Sequence, residues 1–413
     1  MATIAGKFRH MPWLHRFIVG AVVVLLVGLS FGVYGEVYGA SVPVPSMSVA
    51  RSQHTATLLP DGRVLVVGGN PAVTTTEIYD PATNEWQAVD NMSIARIGHS
   101  ATLLSNGQVL VVGSEAPLFP PPTSIPTELY DPAIDRWTRV NEPKLLRNGQ
   151  TATLLADGTV LVAGGSGPLT TAEQYTPATG VWSDAGNMRM VRRQATATRL
   201  PDGRVLVVGG QFVRAMAEIY DPVRRSWQGA GTPSYAWSGH TATLLVDGRV
   251  LVAGGFGSSG TAYPSPSSLL PVQTELYSPT INTWTLGPTL NVMRQGHTST
   301  LLPDGRVLVV GGYTGFRRFS ATVEVYDPAR NQWFFAQSLT TARANHTATL
   351  LADGTVLIAG GEGADGLLTS AERYDPRVGV LDVRHYLPWT NIGRENPPVF
   401  PTFGPITPIP LVD

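Results

Sequence analysis

Hydrophobic and polar positions recur along this chain in one block, clearest as His54-Thr-Ala-Thr-Leu-Leu-Pro-Asp-Gly-Arg-Val-Leu-Val-Val-Gly-Gly69, followed by Thr76-Glu-Ile-Tyr-Asp-Pro81 and Trp86. Each block predicts four short strands: a small-residue strand from His54 to Leu59, an apolar strand from Val64 to Val67, one ending at Tyr79 and one starting near Trp86. An Asp-Gly or Asn-Gly tip separates the first two strands in all seven copies, which predicts a hairpin closed by a type I′ turn. The Gly-Gly pair that ends the second strand lets backbone approach backbone where a Cβ would clash. Only the second copy departs, with Gly113 and Ser114.

The turn glycines are Gly62, Gly107, Gly158, Gly203, Gly248, Gly305 and Gly354, at spacings of 45, 51, 45, 45, 57 and 49 residues. Periods of this size predict an all-β, seven-bladed β-propeller of four-stranded antiparallel blades. From each repeat Tyr to the next turn Gly the interval is always 28 residues, as from Tyr79 to Gly107. All length variation therefore falls between the second and third strands, where the last di-glycine position precedes the Tyr by 10, 16, 10, 10, 22, 14 and 13 residues. Freedom confined to one loop class at one rim is the pattern of a binding surface on a repeat scaffold.

The di-glycine, followed by a Tyr and a Trp with six residues between them, resembles the kelch motif across residues 41–383. Six copies keep both aromatics: Tyr79 with Trp86, Tyr130 with Trp137, Tyr175 with Trp182, Tyr220 with Trp227, Tyr277 with Trp284 and Tyr326 with Trp333. The seventh has Tyr374 and Leu381. The resemblance implies a ring closed by a blade built from both chain ends. Ser41 to Met47 aligns with the outer strand, and Gly379 to Arg384 offers the alternative source. It also implies likeness to the propeller of galactose-oxidase-like copper radical enzymes. Their Tyr–Cys cross-link is impossible in a chain without cysteine.

Other residues keep the same register. Arg51, Arg96, Arg147, Arg192, Arg294 and Arg343 stand eleven residues before the turn Gly, with Trp237 in the fifth copy. Glu77, Glu128, Glu173, Glu218, Glu275, Glu324 and Glu372 stand two before the Tyr. Matching rings of guanidinium and carboxylate are read as a structural ring of internal pairs rather than a ligand site. His54, His99, His240, His297 and His346 share one repeat position, with Gln150 and Ala195 in the remaining copies. Metal ligands must converge on one ion, and equivalent positions on separate blades do not, so no metal is expected.

Composition sharpens this in two places. A net charge of −1 gives no global field for a polyanion, so no nucleic-acid partner is expected. Lys7, Arg9 and Arg16 before the uncharged run Phe17 to Val33 give residues 1–40 the layout of a signal peptide or a signal anchor helix, with the propeller outside the cytoplasm. The propeller is assigned to 41–383 and an extended Pro-rich tail to 384–413.

No zincin helix, nucleophile elbow or phosphate-cradling loop occurs. The sequence therefore points to a monomeric, exported or membrane-anchored binding protein for a protein or glycan, without cofactor or catalytic residues. The alternatives are a carbohydrate-active enzyme like kelch propellers that isomerise sialic acid, or a surface module without a specific ligand. Candidate ligand-binding residues lie in or beside the variable loops: Phe119, Phe256, Tyr263, Tyr313, Phe316, Arg317 and Arg318, with Trp237 as an aromatic platform.

Overall fold

The computed structural model describes residues 38–114, 125–165, 169–210, 216–259, 273–315 and 318–379. Within them the chain is all strands and turns. Seven four-stranded antiparallel blades follow one another, the first made of Thr55–Leu58, Val64–Val67, Thr76–Asp80 and Glu85–Val89. First strands of successive blades are neighbours, and the first strand of blade 7 returns to that of blade 1, so the ring closes.

Every second strand carries a run such as Val64-Leu65-Val66-Val67, with all four side chains buried. That follows from the architecture, because an interior strand of a blade is covered on both faces by the blades beside it. Each core accordingly sits in the wedge between two blades. Leu65, Val67 and Ile78 of blade 1, for example, pack with Val109, Val111 and Tyr130 of blade 2. The Tyr–Trp pairs lie with ring centroids 5.0–5.2 Å apart. Each indole N–H donates across to the chain of the preceding blade, as Trp137 does to the Asp90 carbonyl at 2.8 Å.

The hairpin tips differ from the type I′ turn that the Asp-Gly pair predicts. Gly62 holds φ +89°, while Asp61 stays outside the positive region. The Gly62 N–H donates to the Leu59 carbonyl and the Leu59 N–H to that of Arg63, a three-residue loop built on a type I turn with a glycine bulge. The aspartate explains the choice. Its Oδ1 accepts the Arg63 N–H two residues on, at 3.1 Å, a local turn that keeps Asp61 right-handed and leaves the left-handed step to glycine alone.

Closure comes from the N-terminal side. Tyr38–Val44 pairs antiparallel with Ala371–Gly379, with Ser41 opposite Tyr374 and Val44 opposite Ala371. Gly379 belongs to the third strand of that blade. The strand also begins three residues before the boundary expected at 41. No helix occurs among the described residues, and none there is long and apolar enough to cross a membrane. The expected N-terminal helix falls outside them, as does the Pro-rich tail.

Candidate functional site

The first and second strands of a blade turn at one face, and the second and third strands turn at the other. The variable-length loops and the links between blades share that second face, and there the repeated polar residues assemble. In six blades a buried arginine pairs with the glutamate of its own third strand. The pairs are Arg51–Glu77 (2.7 Å), Arg96–Glu128 (2.7 Å), Arg147–Glu173 (3.0 Å), Arg192–Glu218 (3.0 Å), Arg294–Glu324 (2.7 Å) and Arg343–Glu372 (2.9 Å). Nη1 of each also donates to the first di-glycine carbonyl of its blade, as from Arg343 to Gly360 at 2.7 Å. The second glycine donates its N–H to the carbonyl of the next blade's ring residue, from Gly69 to Arg96 and around to Gly361 and Arg51.

The close approach favours glycine, and only blade 2 places another residue, Ser114, at the second position, where its N–H makes the same bond to the Arg147 carbonyl. A Cβ on Gly68 would lie 2.8 Å from the Arg96 carbonyl oxygen, and one on Gly69 would lie 2.6 Å from that of Ser52. The glutamates do a second task by accepting main-chain N–H groups of the incoming link, Ser48 on Glu77 and Thr340 on Glu372, each at 2.7 Å. Burial pulls the arginines below their ordinary pKa while the paired glutamates pull back. Glu372 is held below the usual carboxylate range. Burial pushes it up, but the Thr340 N–H, the Ser41 hydroxyl and Arg343 outweigh it.

Trp237 occupies the vacant arginine position of blade 5. Its ring is 3% exposed, and its indole N–H donates to Glu275 Oε2 at 2.7 Å. Its face is therefore not offered to solvent, and the platform expected from the sequence is instead a member of the structural ring. It rides on a ribbon, Tyr235–Ser238 paired with Phe256–Ser259, which places the Phe256 backbone opposite Ser238.

The repeated histidines join blades. Nε2 of His54 lies 3.0 Å from Thr347 Oγ1, and His99, His240, His297 and His346 meet Thr55, Thr196, Thr241 and Thr298 in the same way. Gln150 replaces that contact with bonds to Ser100 and Val112. Burial, aided by the ring arginines, takes His54, His99, His240 and His297 from 6.5 down to about 3, and His346 well below its ordinary value. Among the described residues no group of three or more His, Asp or Glu side chains is arranged to hold a metal ion.

A cleft on this face lies where blades 6, 7 and 1 meet. It has a volume of about 950 Å³, and its lining includes Asn70, Tyr313, Arg318, Phe319, Glu362 and Leu367. Three of these follow the di-glycine of their blades. Asn70, Tyr313 and Glu362 are each fixed by a single antiparallel bridge to the residue after the ring arginine, Ser52, Gln295 and Ala344. Glu362 then opens a tight hairpin, Glu362–Gly363 against Gly366–Leu367.

Glu362 is the hub. Oε1 accepts from Ser52 Oγ at 2.9 Å and Asn345 Nδ2 at 3.3 Å, and Oε2 accepts from the Tyr313 hydroxyl at 2.8 Å. Tyr313 packs against Phe319 with ring centroids 5.0 Å apart. Beside them runs a belt of left-handed residues in which Asn345 donates its N–H to the Gly296 carbonyl and Gln53 donates to that of Asn345. Gly98, Gly149, Gly239 and Gly296 hold this position in four blades, whereas Gln53, Gln194 and Asn345 hold it at φ +51°, +54° and +53°. A side chain kept where glycine is cheaper by about 1–2 kcal/mol marks a place where the side chain matters.

Tyr313 and Arg318 are thus brought together in the cleft. Phe119, Tyr263, Phe316, Arg317 and the Phe256 side chain fall outside the described residues. Asn70, Phe319, Asn345 and Glu362 were not singled out from the sequence. The signal for three of them was present, in the residue after the di-glycine and in the position before the repeated histidine, where glycine alternates with Asn or Gln.

The comparisons agree with this architecture. A family profile described as the Kelch motif matches residues 296–340. The fold resembles the solved structure of a fungal alcohol oxidase of the AA5 family, described as a complex with copper. The TM-score is 0.64 and the identity 21%, over 83% of this chain and 76% of that one. No match is found among curated sequences. The chain is a seven-bladed propeller in which residues 296–340 match the Kelch motif. Its residues do not fit a cross-linked copper radical site, since it lacks cysteine and its repeated histidines are spent between blades.

Proposed function

We propose that this propeller is a binding protein that holds a protein or glycan ligand on the face carrying the variable loops. The observation that supports the reading is a division of labour. The repeated Arg, Glu and Trp237 side chains bond one another within the scaffold, while the cleft of blades 6, 7 and 1 is lined by residues outside the repeat consensus. Rigid aromatics beside adaptable polar groups suit recognition of such ligands.

Glycan and peptide arrays probed with the full chain test this. A retained ligand should lose at least about tenfold in affinity on Tyr313→Ala, with smaller losses for Tyr263→Ala and Arg317→Ala. An interaction indifferent to all three would place recognition elsewhere.

The run from Phe17 to Val33 behind Lys7, Arg9 and Arg16 supports export or anchoring, with the propeller outside the cytoplasm. An anchored form stays with membranes after carbonate washing. A chain found wholly in the cytosolic fraction would refute both forms.

A further inference from the structure

Most carboxylates that recur in this fold are matched by a cation. Six of the seven ring glutamates pair with arginine, and four of the six tip aspartates pair with the arginine two residues on, as Asp61 with Arg63 and Asp304 with Arg306 at 2.7 Å. Glu362 is different. Its donors are a serine hydroxyl, an asparagine amide and a tyrosine hydroxyl, all neutral, and it forms no ion pair among the described residues. Those bonds fix the carboxylate in place without cancelling its charge.

Its surroundings are those of a cation site. The Tyr313–Phe319 pair supplies aromatic surface beside the carboxylate, and ring faces attract a cation within about 6 Å. Asn70 adds an amide that can bond a neighbouring polar group. Gly363, Ala364 and Gly366 add lining without bulky side chains. Asn345, one of the hub's donors, is held left-handed, and Gln53 beside it is left-handed too. Arg318 stands exposed in the lining and forms no ion pair with Glu362.

Resting on the binding reading above, we infer that the cleft of blades 6, 7 and 1 is a site for an ammonium group, with Glu362 as its counter-ion and the Tyr313–Phe319 surface as its aromatic wall. The ammonium can be borne by an amino sugar or by a lysine side chain. Arg318 acts against it from the rim and limits affinity.

The test is titration of the full chain, kept in neutral detergent, with glucosamine and with a short lysine peptide, each against its N-acetylated counterpart. The expected result is saturable binding of one amine, lost on N-acetylation and weakened at least about tenfold by Glu362→Gln. Arg318→Ala, an exposed change that leaves the hub intact, should strengthen binding severalfold, since removing a like charge favours a cation. The opposite pattern, with Arg318→Ala weakening binding and Glu362→Gln sparing it, would mean an anion site and overturn the inference. So would equal binding of the acetylated probes, or no binding of either amine. Array ligands that depend on Tyr313 but not on an amine would sink this inference while leaving the binding reading in place.

Discussion

Glu324→Ala is expected to cost about 3–5 kcal/mol of stability, enough to remove much of the folded protein from expression. The carboxylate holds Arg294 at 2.7 Å and also accepts the main-chain N–H groups of Asn291 at 2.7 Å and Val292 at 3.0 Å. Its loss leaves a guanidinium with no exposure to solvent and no counter-charge, together with two stranded donors. Arg294 would keep its bonds to the Gly311 and Thr322 carbonyls, but those dipoles do not neutralise it. Glu324→Gln, which keeps one acceptor oxygen, should fall between wild type and alanine.

Blade 5 supplies the control. Trp237 fills the arginine's place there and donates its indole N–H to Glu275, so the ring tolerates a neutral donor opposite its carboxylate. Arg294→Trp should therefore be milder than Glu324→Ala. Asp61→Ala at an exposed tip should cost about 1 kcal/mol or less. Urea midpoints of these variants measure the order. If Glu324→Ala unfolds within about 1 kcal/mol of wild type, the ring does not hold the blades together.

The blade count, the strands, the Arg and Glu registers and the Tyr–Trp pairs were legible because a repeat prints the same physical demand seven times. What repetition cannot print is the exception. Trp237 reads from the sequence as an unpaired aromatic. Its burial becomes visible only when Glu275 is found across from it, on a strand 38 residues later. Glu362 was hidden for the complementary reason. Its place after the di-glycine is the only local mark it carries, and its donors Ser52, Tyr313 and Asn345 come from three blades and both ends of the ring. The tip misreading is local in origin, because Asp-Gly is compatible with two hairpin loops and the Asp carboxylate's bond to the Arg63 N–H decides between them. Closure from the N-terminal side depends on which chain end reaches the strand ending at Gly379, a matter of tertiary pairing.

The histidine ring is expected to make the propeller acid-labile well above the carboxylate range. His54, His99, His240 and His297 titrate at about 3 in the folded chain, and His346 lies well below its ordinary value, because burial disfavours the imidazolium and the ring arginines repel it. The Val67 main chain near His99 pulls the other way without offsetting burial. Geometry agrees, since Nδ1 of all five lacks a hydrogen-bond partner among the described residues. In the unfolded chain the same groups titrate near 6.5. Below that value the unfolded state binds more protons, so stability is fully present above pH 6.5 and is lost as pH falls towards 3. Each histidine contributes a slope of up to about 1.4 kcal/mol per pH unit, and five together up to about 7. Against a net stability of about 5–15 kcal/mol, acid unfolding should centre about one to two units below pH 6.5. Asp61, Asp202, Asp247 and Asp304, held below their ordinary range by Arg partners despite burial, act only at lower pH and do not blur this window. Replacing all five histidines with Gln, as blade 3 already does at Gln150, should flatten the profile between pH 6.5 and 4.5. Urea midpoints measured across that range decide it, and a wild-type profile already flat there would show that the histidines are not held neutral.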